Sequence, residues 1–542
     1  MPRSFDKRSH TGKATNGTVP ISAVPTQTST ITGDMSPTQL LQSANESEWP
    51  RTWRAYACLL GCFFLMFNSW GLVNAYGTWS SYYVGHSLLG TDQLKLNLIG
   101  STQSFLVLLL SNPVGRLLDA GWSRYVIAFG SLCVPLGLFL LSVVHPSDAP
   151  ATANFGSIWS VQGLLVGVGM APFFVSSSQV ASTWFPKRRG LAVGYVACGA
   201  SVAGVVYPTM LRYLILSLGF NTAVRCVAGL TTMTCLFSFV FATPNPVHHH
   251  HQPKNWMAAS TWFDMDVKKN LSFWWFTVAV AFMFFGFYPV FFNVEEATYH
   301  GYGTRDGVGA IAPAEETDRP IQTFWLLTIM NGCSTLGRLL LAHFSDRVGA
   351  LNMHSAAQIT CSILVLLMWP LARSENAAIG FCAVFGLFSG TVIGCPPASI
   401  ANILNCTYTT SETLHLAKKK LGHWTGMMYS FAAIPALTGP VIAGHLITTY
   451  NSYLTLQMWS GCCLFISFVC MLLARWYLPC QDGEMVRTKM ARTLGRDVDR
   501  SRGRGYTSDV DRLSQAPTRV QSEMPSRHMS SEKMDEPAEG MV

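Results

Sequence analysis

The chain has 542 residues, of which 49% are hydrophobic and only 12% are charged, and its formal net charge is +8. A charged fraction about half that of an average soluble domain excludes an ordinary water-soluble protein. The excess of positive charge lies in loops and tails between apolar runs, so it calls for no nucleic-acid partner.

Polar tails flank a long apolar region. Residues 1–53 and 480–542 lack an apolar period and are predicted to be disordered. Between them lie runs long enough to cross about 30 Å of hydrocarbon, which needs roughly 20 helical residues. Because lipid offers no partners to the backbone, these spans must be helices, and the predicted fold class is all-α. The twelve predicted spans are 55–78, 97–115, 125–144, 156–181, 191–213, 222–242, 273–294, 322–344, 354–371, 377–402, 423–447 and 453–478.

The basic residues orient these spans. Loops after even-numbered spans carry clusters such as "PKRRG" and "AKKKLG", whereas loops after odd-numbered spans carry little basic charge. The even loops, and with them both termini, are therefore predicted to be cytoplasmic in a multi-pass protein. A polar central loop, 244–271, divides the spans into bundles of six at 54–243 and 272–479. Its four consecutive histidines, 248–251, are interpreted as solvated, so no metal is predicted.

The two bundles share a short sequence at corresponding positions. The second span ends in "GRLLD" and the eighth ends in "GRLLLAHFSDRVG", at corresponding places in each half. Internal symmetry of this kind is typical of transporters built from repeats.

Several longer stretches resemble a known family. They are "WGLVNAYGTWSSYY", "NPVGRLLDAGWSRY", "WFPKRRGLAVGYVACGASVAGVVYP", "GFYPVFF", "NGCSTLGRLLLAHFSDRVGALN" and "GPVIAGHLI". Over about 50–478 the chain resembles a major facilitator superfamily transporter, specifically the fungal branch of the monocarboxylate porter family. The resemblance implies two six-helix bundles that move a small molecule by alternating access.

Arg338 is the first candidate substrate ligand. An arginine inside a span costs roughly 2.5 kcal/mol or more at mid-bilayer, unless its side chain reaches back to the membrane surface. Its guanidinium also suits a carboxylate, through two parallel hydrogen bonds. In monocarboxylate porters an arginine at the matching position binds the substrate anion. The resemblance therefore implies that Arg338 binds an organic anion.

Polar and aromatic residues within the spans complete the predicted pocket. Asn74 and Ser334 stand where proton-coupled animal porters have a lysine and an aspartate. A coupling proton, a candidate partner, would then need other carriers. Amides inside lipid need partners, so they are expected to point inward, where many bond neighbouring helices. The remaining predicted substrate-binding residues are Asn68, Tyr76, Tyr288 and Asn331.

Charges at the cytoplasmic ends of the spans are candidate gating residues. The superfamily's loop motif is partly kept at Gly115 and Asp119, and better kept at Asp346, Arg347 and Gly349. Such pairs can hold the two halves in one state; alternatively, the charges only orient the chain. The predicted gating residues are Arg116, Asp119, Arg124, Lys187, Arg188, Arg189, Asp346 and Arg347.

Other classes lack their signatures. The chain has no G-x-x-x-x-G-K-[ST] loop, G-x-S-x-G elbow or H-E-x-x-H pair, so no enzyme and no cofactor is predicted. The predicted function is secondary transport of a small organic molecule, an organic anion or monocarboxylate-like compound, with the lipid bilayer as the other partner. The alternatives are an exporter of hydrophobic secondary metabolites and a non-transporting nutrient receptor. The predicted location is the plasma membrane, with the vacuolar membrane as alternative.

Overall fold

The computed structural model describes residues 50, 52–88, 91–145, 153–185, 189–246, 256, 259–303, 322–372, 374–408 and 414–478. Within these ranges the chain is helical and contains no strand, which confirms the all-α prediction. Helices α1 to α12, numbered in chain order, lie in the twelve predicted spans. Their bounds are Trp53–Ser87, Gln93–Asp119, Ser123–Val144, Phe155–Trp184, Arg189–Leu218, Phe220–Phe241, Leu271–Gly303, Gln322–Val348, Ala350–Leu371, Glu375–Gly394, Leu414–Tyr450 and Tyr453–Trp476. The predicted span 377–402 is divided, because α10 ends at Gly394 and a separate short helix follows at Pro396–Thr407.

Eleven helices of the described chain are long and apolar enough to cross a membrane. Helix α8, with 27 residues, carries polar side chains in its middle. Asn331, Ser334 and Arg338 are all buried there. Because these groups avoid lipid, the polar surface of α8 must face other helices.

Helix α1 is broken near its middle. It consists of the segments Trp53–Asn68, Trp70–Asn74 and Tyr76–Tyr82, followed by a wider turn at Tyr83–Ser87. At the first break the Ser69 hydroxyl donates to the Met170 carbonyl of α4, at 3.1 Å. Discontinuous helices near the midplane are a common feature of transporter substrate sites.

Glycines set the contact between α8 and α10. Cβ atoms added to Gly386 and Gly390 of α10 would lie 2.3 Å from the carbonyl oxygens of Met330 and Ser334 in α8. In return, a Cβ on Gly337 of α8 would lie 1.8 Å from the Leu387 carbonyl oxygen of α10. Only glycine permits this approach, which fixes the position of α8.

The first six helices meet the last six at both ends of the spans. At one end, beside the described linker residues 259–270, Arg116 in the last turn of α2 donates to His423 of α11. At the opposite end, the Thr448 hydroxyl of α11 donates to Asp92 at 2.6 Å. We call these the linker end and the far end. The contacts make this an arrangement with neither end opened.

The predicted bundle boundaries stay predictions. The predicted tails lie almost entirely outside the described residues, as do His248 to His251. The linker is described only in part, and its last turn, Met265–Lys269, leads directly into α7.

Candidate functional site

Arg338 lies between the two halves of the molecule. Its Nη1 donates to the Ala197 carbonyl of α5, across the interface between α5 and α8. The side chain is buried, and its Nε has no hydrogen-bond partner within the described structure. No carboxylate of the described residues forms an ion pair with it. A buried cation held by one neutral carbonyl retains unused capacity to bind an anion.

An aromatic layer lies beside this cation. The Tyr288 ring of α7 stacks on the Trp70 ring of α1, with ring centres 5.4 Å apart and planes 18° apart. Phe284 stacks in turn on Tyr288, at 5.8 Å. The Phe174 ring of α4 packs edge to face with Trp70, with ring centres 5.5 Å apart. It packs in the same way with Tyr429 of α11, with ring centres 5.2 Å apart. Both halves of the chain therefore contribute rings to one layer near the middle of their helices.

Tyr288 links the layer to the cation. Its hydroxyl interacts electrostatically with Arg338 and with the Tyr429 hydroxyl. It is buried without a hydrogen-bond partner within the described residues. Buried hydroxyls normally find partners, and an orphan in a candidate site is consistent with a group that bonds a ligand. Guanidinium, phenol and ring faces together suit an anion attached to an aromatic body.

Three predicted pocket residues are occupied in contacts with neighbouring helices. Asn68 donates to Thr234 at 2.8 Å and accepts from Tyr207 at 2.7 Å. Tyr76 donates its hydroxyl to the Leu96 carbonyl of α2, and Asn74 donates to the Ala200 carbonyl of α5 at 3.4 Å. All three side chains bond neighbouring helices, and their role in substrate binding stays a prediction.

Asn331 and Ser334 lie on the same interface as Arg338. Asn331 packs closely against Gly204 of α5, and Ser334 accepts a hydrogen bond from Ser201 at 3.3 Å. Asn331 Oδ1 is buried and accepts no hydrogen bond from the described chain. The structure therefore brings Arg338, Tyr288, Asn331 and Ser334 into the region between the halves.

Three predicted gating residues lie at the linker end. Arg116 pairs with Asp119 one turn later, at 3.7 Å, and donates to His423 of α11. Arg124 is exposed at the start of α3. The remaining gating predictions concern side chains outside the described set: Lys187, Arg188, Arg189, Asp346 and Arg347.

Sequence reasoning missed most of the aromatic layer. Trp70, Phe174, Phe284 and Tyr429 come from four helices, and each is one aromatic residue among many in apolar runs. The only local signal is the polar pair Asn68 and Ser69, which interrupts an apolar run just before Trp70. It marks Trp70 alone.

Replacing Tyr288 by phenylalanine separates ligand binding from stability. Because the Tyr288 hydroxyl has no partner in the described chain, its loss is expected to leave the unfolding temperature unchanged or slightly raised. Affinity for an anionic substrate is expected to fall by about 3- to 10-fold, the effect of one hydrogen bond. Thermal unfolding in detergent and ligand titration measure the two effects.

The matched control is Tyr207→Phe. That hydroxyl donates to Asn68 Oδ1 at 2.7 Å, so its loss is expected to cost about 1 kcal/mol or more of stability without a comparable change in affinity. The reverse pattern, in which Tyr288→Phe destabilises and Tyr207→Phe weakens binding, would contradict the assignment.

The architecture is that of a secondary transporter. Its helices can span a membrane, its first helix is broken, and a buried polar site lies between the first six helices and the last six. Residues 58–407 match the Major Facilitator Superfamily, and the chain belongs to that superfamily. It is a membrane-embedded, multi-pass transporter.

Relatives and solved structures agree with this class. The chain is 29% identical over 397 residues to an MFS-type transporter of Gibberella zeae, covering 73% of this chain and 80% of that protein. It is 27% identical over 434 residues to the agnestins efflux protein of Paecilomyces divaricatus, covering 80% and 90%. The crystal structure of the nucleoside transporter NupG superposes with a TM-score of 0.55 at 13% identity, covering 78% of this chain and 99% of that one. At that identity the structural likeness shows the fold alone.

Proposed function

We propose that this transporter carries an organic anion with an aromatic or polycyclic body, as a monocarboxylate porter-like member of the superfamily. Arg338 is the observation that carries the proposal. Its guanidinium is buried between the halves without a carboxylate partner in the described chain. Burying a charge is costly unless it is paired, so an anionic substrate is the fitting partner.

The aromatic layer supports a body larger than lactate. Trp70, Phe284 and Tyr288 present stacked rings beside the cation, and ring faces stack best on other planar groups. A small carboxylate would use Arg338 but make no stacking contact with these rings. A planar organic acid uses both.

Export fits the relatives' names. One relative is named as an efflux protein for agnestins, and we extend the direction of transport, though not that substrate, to this chain. The proposed location is the plasma membrane, and the distribution of basic residues among the loops supports cytoplasmic termini.

Alternating access requires the two halves to separate at one end while staying in contact at the other. The described contacts join them at both ends, through Arg116 and His423 at the linker end and Thr448 and Asp92 at the far end. Substrate bound against Trp70 of the first half and Tyr288 of the second touches both halves and is therefore placed to couple their movement.

Flux through proteoliposomes tests the proposal. The probes are a labelled naphthoic acid, its uncharged amide and lactate, each measured with and without a pH gradient. We expect saturable flux of the acid, little of the amide and little of lactate. Equal flux of acid and amide would contradict recognition of charge, and binding without flux would favour the receptor alternative. A preference for lactate would contradict the role of the aromatic layer.

A further inference from the structure

The linker between the halves contacts helices of both. Asn112 of α2 donates to the Trp262 carbonyl at 2.9 Å, and His423 of α11 shares the same carbonyl at 3.0 Å. One backbone oxygen of the linker thus joins α2 from the first half to α11 from the second. Separation of the halves at this end must break at least one of these bonds.

Two linker carboxylates hold α11. Asp264 accepts from Trp424 and from Lys420, each at 3.0 Å. Asp266 pairs with the same lysine and accepts from Tyr408 at 3.3 Å. Burial would raise the pKa of Asp264, but the hydrogen bonds from Trp424 and Lys420 outweigh it and hold that pKa below its ordinary value. Asp264 is therefore ionised at neutral pH.

His423 is held in one protonation state by its two neighbours. Arginine can only donate, so Arg116 donates to Nδ1, which must carry no proton. The Trp262 carbonyl can only accept, so Nε2 must carry the proton. The geometry therefore requires neutral imidazole. A second proton would remove the acceptor for Arg116 and place two cations against each other.

Three charged groups act on His423 within the described chain. Arg116 faces it from α2, Asp264 from the linker, and Lys420 from its own helix, while Asp119 pairs with Arg116. Arg116 and Lys420 disfavour a further positive charge on the imidazole, and Asp264 favours it. We call the linker residues Trp262, Asp264 and Asp266, with Arg116, Lys420 and His423, the linker latch.

We propose that the linker latch holds the linker end closed while His423 is neutral, and that protonation of His423 releases it. The linker is then part of the transport machinery rather than a passive connection. Protonation at Nδ1 removes the acceptor for Arg116, while Nε2 still donates to the Trp262 carbonyl. Repulsion between Arg116 and the imidazolium then pushes α2 away from α11, and Asp264 and Asp266 remain as the hold on Lys420. The proposal does not depend on the identity of the substrate.

Hydrogen–deuterium exchange of the full chain in nanodiscs tests the latch without a substrate. The readout is protection of the peptide spanning residues 262–269, corrected for the intrinsic effect of pH on amide exchange. The pH range runs from about pH 8 to about pH 5, lower than an ordinary histidine needs, because Arg116 and Lys420 disfavour a charged imidazole. Over this range wild-type protection is expected to fall roughly tenfold, the effect of losing one hydrogen bond to a charged group.

Two His423 variants decide whether this residue is the sensor. His423→Gln keeps one donor and one acceptor but does not titrate, so its protection is expected to stay high at both pH values. His423→Lys places a permanent cation beside Arg116 and is expected to lower protection at both. A pH response retained in His423→Gln, or no response in the wild type, would overturn the proposal.

The carboxylates have a matched control on the same linker. Asp264→Asn removes the charge that pairs with Lys420 and is expected to lower protection at all pH values. Lys269→Gln also changes one linker charge, but Lys269 is exposed and outside the latch, so protection is expected to stay at the wild-type value. Equal effects of the two variants would contradict a specific clamp. Should Asp264→Asn fail to fold, the two His423 variants still decide the proposal.

Discussion

Replacing Arg338 by alanine is expected to reduce transport of an aromatic carboxylate roughly 100-fold, with most of the loss in apparent affinity. The guanidinium is the one charged group of the described site, and losing one partner of a buried, hydrogen-bonded charge pair costs about 3 kcal/mol. Initial rates of uptake into proteoliposomes across a range of substrate concentrations measure the effect. Arg338→Lys keeps the charge but not the two-pronged geometry, so we expect a smaller loss, about tenfold.

A control must separate substrate binding from helix packing, because Arg338 also donates to the Ala197 carbonyl. Ser201→Ala removes a hydrogen bond from the same α5–α8 interface and leaves the guanidinium in place. We expect it to retain transport within about threefold of wild type, the effect of losing one neutral hydrogen bond. If uptake survives Arg338→Ala, the arginine serves helix packing or the orientation of the chain in the membrane, and the substrate is neutral.

Replacing Gly337 by alanine is expected to destabilise the protein by about 2 kcal/mol or more and to impair transport indirectly. The new Cβ would lie 1.8 Å from the Leu387 carbonyl oxygen and 2.8 Å from its carbonyl carbon. Both are backbone atoms of α10, so no side-chain rotation relieves the overlap and the two helices must separate. Because Arg338 is the next residue, this movement also displaces the substrate ligand. The unfolding temperature in detergent, followed by tryptophan fluorescence, is expected to fall by several degrees.

Gly229→Ala provides the matched comparison. Gly229 lies inside α6, and a Cβ added there meets nothing within 4 Å. Because alanine favours helix over glycine by about 0.5–1 kcal/mol, this variant is expected to be as stable as the wild type or more so. Similar losses in both variants would show that the α8–α10 contact tolerates a methyl group after all.

Helix α11 connects the two proposals. It carries Tyr429 in the aromatic layer, and it carries His423 and Lys420 in the linker latch. Tyr429 follows His423 by six residues, about 9 Å along the helix at 1.5 Å per residue. A movement of α11 that follows release of the latch would therefore reach the substrate layer directly. Protonation at the linker end and substrate binding near the midplane are expected to influence each other for this reason.

The sequence determined the helical architecture because a bilayer leaves few choices. Apolar runs of membrane-spanning length must be helical, so composition and length predicted the positions of α1 to α12. The cost of a charge in hydrocarbon also singled out Arg338, a physical signal that is visible without neighbours. The resemblance to the superfamily, carried by stretches such as "NGCSTLGRLLLAHFSDRVGALN", agreed with the family match over residues 58–407.

Only the tertiary structure decided which polar and aromatic side chains surround that arginine. Asn68 and Tyr288 look alike in sequence, each a polar group within an apolar span, yet Asn68 bonds Tyr207 and Thr234 while the Tyr288 hydroxyl remains unbonded in the described chain. The linker latch likewise joins residues more than 150 positions apart, such as Asp264 and Lys420. A polar side chain in a membrane must find a partner, but the spacing along one helix does not say which helix provides it. The partner depends on how helices rotate and approach, and glycines such as Gly337 set that approach through contacts distant in the chain.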